Sequence, residues 1–189
     1  LLGRACGNYF AAVRLSTSGQ LAESYVQLRA CIEDALYAFN IHSDSKMAQV
    51  WLDRQENDKS RKESKKLFNL KTILETLEQV DRKVGQKTKS DYAFCIDYGA
   101  HPNERSVSSN LNLAGRKISL VLLNTNTKEG IFQACLSACV MFGLDAVRIF
   151  NLIYPDDFKK FNAEQRMQNI QAQFDRIAPG NIYVLRSTT

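Results

Sequence analysis

A chain of 189 residues with 44% hydrophobic and 24% charged side chains has the balance of one folded domain rather than a disordered tract. Nine glycines and three prolines supply too little turn material for a typical all-β sandwich or barrel. The net charge of +5 is small enough to leave both protein and nucleic-acid partners open.

The chain begins Leu1-Leu2-Gly3 without a methionine and reads as a fragment. Its five cysteines (Cys6, Cys31, Cys95, Cys135 and Cys139) are odd in number, contain no C-x-x-C pair and sit among apolar neighbours. They read as small core residues in a reducing cytoplasm, without a disulfide framework.

In chain order, the first strong signal is the series Leu21, Tyr25, Leu28, Ile32, Ala35 and Phe39. Steps of four and three place these on one face of a helix of at least five turns, starting near Ser18 or Gly19. Asp44 or Ser45 would open a next helix carrying Met47, Val50 and Trp51. Leu67, Leu70, Ile73, Leu74, Leu77, Val80 and Val84 predict another helix, ended by Gly85. Ser90 and Asp91 read as the N-cap of a short helix through Tyr98. The texture then changes over residues 107–123, with Lys117–Leu123 the most strand-like run in the chain; a small β-hairpin fits there, and an apolar run this short equally fits a helix.

A long helix follows from about Lys128 to Ile153, lined by Ile131, Cys135, Cys139, Phe142, Ala146, Ile149 and Ile153 and closed by Pro155. Asp145 and Arg148 are the only charges between Gly130 and Pro155, and their i,i+3 spacing lets them pair. The segment reads as a buried central helix, with no membrane as partner. Ala163–Ile177 predicts a last amphipathic helix before Pro179-Gly180 and the apolar run Ile182–Leu185. The expected fold is a mainly α multi-helix bundle, a single domain over 1–189 with a subdivision, if any, near 104–127.

Positive charge is concentrated between Lys59 and Lys89, where ten basic residues face four acidic ones. Lys62, Lys65, Lys66, Arg82 and Lys83 are the candidates for a phosphate- or nucleic-acid-binding face. The simpler reading is the solvated side of two helices, because Phe68 is the only aromatic available to stack on a base. His101 follows Asp97 in the run Asp97-Tyr98-Gly99-Ala100-His101-Pro102, so Asp97 could orient its imidazole for acid–base work. Arg29, Glu33 and Tyr37 share a helix face at i,i+4 spacing, with Asp34 beside them. This group either sets helix register or lines a polar pocket with His101. No P-loop, G-x-G-x-x-G or G-x-S-x-G occurs, and two histidines are too few for the multi-histidine zinc motifs. No cofactor and no metal are expected.

The stretch from Tyr25 to His101, through Arg29, Glu33, Tyr98 and His101, resembles a group of uncharacterised bacterial helical proteins. Their architecture is similar to the HEPN superfamily of bundles, some of which are ribonucleases of toxin–antitoxin or phage-defence systems. Those ribonucleases carry an arginine separated from a histidine by four to six intervening residues. Here Phe94, Cys95 and Ile96 precede His101, and Ala35, Leu36 and Tyr37 precede His42. The resemblance therefore implies a non-catalytic, accessory role. The expected function is a cytoplasmic helical module that binds a protein partner or itself. The alternative is a nucleic-acid binder or ribonuclease-like enzyme using residues 59–89 and the cluster around His101.

Overall fold

The computed structural model describes residues 1–100, 111–114, 117–120, 123 and 130–177. The described chain is mainly helical: α1 (Leu2–Thr17), α2 (Leu21–Ser43), α3 (Lys46–Leu52), α4 (Asp58–Leu67), α5 (Leu70–Val80), α6 (Arg82–Cys95), a π-helical turn (Ile96–Ala100), α7 (Gly130–Ile153), α8 (Pro155–Lys160) and α9 (Ala163–Ile177). Between the π-helical turn and α7, β1 (Leu111–Ala114) and β2 (Lys117–Leu120) pair antiparallel, with Ala114 opposite Lys117. Of the two readings of the 107–123 region, the described residues take the hairpin. His101, Pro102, most of the 104–127 stretch and the run 178–189 lie outside the described residues.

Two helices carry the core. All six residues of the α2 stripe are buried, and Leu36 beside them is buried too. On α7 the buried residues include Cys135, Cys139, Phe142, Ala146, Ile149 and Ile153, and the helix packs against α1, α2 and α6. Apolar periodicity does not reveal α1, because its buried positions are Ala5, Ala12 and Ser16. Small side chains mark no stripe, yet they let α1 approach α2 closely. Ser24 then donates to the Ala12 carbonyl at 2.9 Å and ties the two helices.

The helix expected from Leu67 to Val84 is two helices. Asp81 takes an extended conformation (φ −140°, ψ 104°) and its side chain accepts the Val84 N–H, which caps a new helix. Val80 is turned out to solvent at 61% exposure, so the apolar stripe breaks there. Gly85 is no terminator. It lies inside α6, where a Cβ would overlap the backbone of Glu78, so its missing side chain is what lets α5 and α6 meet at a tight corner. Ser90 and Asp91 likewise lie within α6 and cap nothing. Gly99 plays a similar close-approach role on the π-helical turn, where a Cβ would meet the Ala22 carbonyl of α2.

Candidate functional site

The α2 polar group assembles as its spacing suggests. Arg29 Nε donates to Glu33 Oε1 at 2.7 Å, and Tyr92 of α6 donates its hydroxyl to the same oxygen at 2.8 Å. The Arg29 guanidinium also lies over the Tyr92 ring, 5.6 Å from its centre. Burial, then the bond to Glu33, push Tyr92 up to about 12. For Arg29, burial works to lower the pKa, but the bond and charge of Glu33 outweigh it and raise the group. Both partners are about a quarter exposed, so the triad fixes α6 against α2 at the rim of the core.

Tyr37 does not join this triad through a hydrogen bond. Its ring sits with Trp51 and Phe68, at centroid distances of 5.0 and 5.4 Å. Asp34 faces α1 instead, accepting from Asn8 at 2.8 Å and pairing with Arg4 at 3.3 Å. Asp97 is exposed on the π-helical turn, while Tyr98 stacks on Phe94 at 4.2 Å and meets Tyr25 at 5.8 Å. The pairing of Asp97 with His101 falls outside the described residues, because His101 does.

Lys62, Lys65 and Lys66 project from α4, and Arg82 and Lys83 from the first turn of α6; all five are exposed. Phe68 is buried against Tyr37 and Trp51, which removes the segment's one aromatic from any role in stacking on bases. Lys87 belongs to the basic run in sequence only. It turns inward and ion-pairs with Asp91 and, at 3.6 Å, with Asp145.

That inward turn exposes a cluster that local spacing could not assemble. Asp91 on α6 and Asp145 on α7 are each 1% exposed. Arg148 Nη1 donates to Asp145 Oδ1 at 2.8 Å, which realises the expected i,i+3 pair, and Arg148 Nη2 donates to Gln171 of α9 at 3.3 Å. The i,i+3 pair Asp145–Arg148 is expected from the sequence, whereas Lys87–Asp91 reads there as a surface cation and a cap. That the two pairs meet across two helices is not legible in the sequence.

The other feature is apolar. A groove of about 360 Å³ runs between α1, α7, α8 and α9, and its lining includes Leu2, Cys6, Phe10, Val147, Phe158 and Ile170. Among the described residues, none that lines it is charged. Around it the structure leaves large hydrophobic side chains in solvent: Phe10 is 61% exposed, and Leu2, Val147 and Ile170 are exposed as well. Scattered apolar residues on a surface need no explanation, but a contiguous set around a concave site does. On its inner side α7 is a core helix. By length and a mean hydropathy of 1.6 over Phe132–Ile153 it could also cross a membrane, and half of that window is buried within the fold.

Among the described residues no group of three or more His, Cys, Asp or Glu side chains is placed to hold a metal. Cys135 and Cys139 share the buried face of α7, where Cys135 points its thiol at the Leu21 carbonyl and Cys139 meets the Ser24 hydroxyl, both at 3.8 Å. Of the sequence-derived site candidates, Arg29 and Glu33 are joined by a hydrogen bond among the described residues. No protein-family model, no curated protein and no solved structure matches the chain.

Proposed function

We propose that this protein is a helical interaction module that self-associates through the apolar groove between α1 and α7–α9. The observation that carries the reading is the adjacency of a hole and a knob on one face. The groove has no charged lining among the described residues, and Phe10 and Leu2 stand exposed at its edge on α1. A two-fold contact places the same patch of each copy against the other, so one chain's Phe10 enters its partner's groove and the reverse. Burying an aromatic side chain in an uncharged site desolvates no ion, and aromatic anchors seated in pockets dominate many interfaces. This reading requires neither the likeness to HEPN bundles nor the basic segment.

The test is the mass of the wild-type protein in solution as its concentration is raised, measured by sedimentation or light scattering. A dimer that Phe10→Asp dissociates, with an unchanged melting temperature, supports the reading. A monomer throughout, or a dimer that Phe10→Asp leaves intact, sinks it. An amphipathic helix from a different protein would then be the remaining occupant to examine.

A further inference from the structure

The buried cluster at the α6–α7 junction shares no residue with the groove lining or with the Arg29–Glu33–Tyr92 triad, and its hydrogen bonding is incomplete. Asp145 Oδ1 is taken by Arg148 at 2.8 Å. Asp145 Oδ2 is buried with no donor in hydrogen-bonding reach, and the closest cation, Lys87 Nζ, stands 3.6 Å away while engaged with Asp91. A carboxylate oxygen in that position forfeits its hydration and gains only a longer ion pair with Lys87 in place of a hydrogen bond. The same oxygen carrying a proton becomes a donor, and Asp91, which meets the same Lys87 ammonium from the facing helix, is positioned as its acceptor.

We propose that Asp145 holds a proton, donates it to Asp91 in a hydrogen bond and so forms a pH-sensitive latch between α6 and α7. With the proton in place, a carboxyl–carboxylate hydrogen bond joins the two helices. Without it, two fully buried carboxylates oppose each other across the junction, and like charges at close range in a water-poor site cannot both persist at low cost.

The charges around the pair do not remove this conflict. The groups that act on Asp145 are Asp91 and Lys87 from α6 and Arg148 from its own helix. Lys87 and Arg148 are 30% and 28% exposed, so water screens them, whereas both carboxylates are 1% exposed. Gln171 of α9 meets Arg148 as a neutral amide and bonds onward to Asp175. One turn beyond Asp91, burial and the Asp91 charge hold the Cys95 thiol protonated, with Arg29 of α2 acting the other way. Burial first, then the bond and charge of Asp91, push Asp145 up to about 8.

The sign follows from linkage. A carboxyl raised in the folded state holds a proton that the unfolded chain releases. Its stabilisation is complete below the ordinary carboxyl range and is lost as pH climbs toward about 8.

Thermal melts of the wild type and Asp145→Asn from pH 5 to pH 9 test the latch. The amide introduced by that substitution replaces the protonated carboxyl, donating toward Asp91 and accepting from Arg148. The wild-type melting temperature should fall relative to Asp145→Asn across that range, and the variant should be the more stable protein at pH 9. A difference between the two that does not grow with pH overturns the proposal. Should Asp145→Asn fail to fold, carbon-13 NMR of the wild-type aspartate carboxyls gives an independent answer. One carboxyl titrating near pH 8 is the expected result, and all of them titrating below pH 5 overturns it.

Discussion

The Tyr92 hydroxyl of α6 reaches Glu33 of α2 at 2.8 Å and lands on the same oxygen that accepts from Arg29. Two residues 59 positions apart are thereby tied to one atom, and the register of α6 on α2 is set at the edge of the core. A hydrogen bond to a charged acceptor is worth more than a neutral one, but Glu33 is a quarter exposed and water can replace a lost donor. Tyr92→Phe should therefore cost about 1 kcal/mol in urea unfolding. A loss near zero would show that the triad is incidental to the packing of α6.

The α5–α6 corner makes a sharper prediction. Alanine normally improves a helix over glycine by ~1 kcal/mol. At Gly85 the added methyl would run into the backbone of Glu78, which cannot swing aside, so Gly85→Ala should destabilise by about 1–3 kcal/mol. Gly7, in the middle of α1, has open space where its Cβ would be, and Gly7→Ala should stabilise by up to ~1 kcal/mol. Paired thermal melts compare the two; equal signs would contradict the corner geometry.

Thiol labelling reports on the core. Cys6 is exposed, while Cys31, Cys95, Cys135 and Cys139 are buried. Burial, reinforced by Asp34, pushes Cys31 up to about 12, and burial pushes Cys95 up as well, so neither offers a thiolate at neutral pH. At concentrations dilute enough to keep the chain monomeric, Ellman's reagent should modify one thiol rapidly in the native protein and all five after denaturation. Fast reaction of two or more would mean that the α2–α7 interface opens readily.

The nucleic-acid alternative rests on Lys62, Lys65 and Lys66 of α4 together with Arg82 and Lys83 of α6, all of them exposed. On that reading a mixed single-stranded oligonucleotide binds at low salt, and its affinity falls linearly on a log–log plot of salt. Reversing Lys62, Lys65 and Lys66 to glutamate should abolish binding and leave folding intact, since none of the three supports the core. Absence of binding at low salt, or binding indifferent to these substitutions, removes the reading.

The bundle itself was legible because a core helix writes its buried face into the order of its own residues. The stripes on α2 and α7 needed only 3.6-residue periodicity, and Pro155 marked where the second one stops. The Arg29–Glu33 and Asp145–Arg148 pairs were legible for the same reason, each lying within about one turn. Where the signal was misleading, at Val80–Gly85, apolar residues of two helices happened to continue one phase across a corner that Asp81 caps.

Burial and juxtaposition belong to tertiary structure. Lys87 read as one more cation in a basic run, and Asp91 read as a cap, until α6 turned both toward α7. Phe68 looked available for stacking until Tyr37 and Trp51 covered it. The groove has no local signature at all, since it is the space left between α1 and α7–α9. Periodicity in one segment determines which face of a helix is buried. Which other helix covers that face, and which polar atoms go inside with it, depends on contacts between residues far apart in the chain, and composition and spacing carry no record of those.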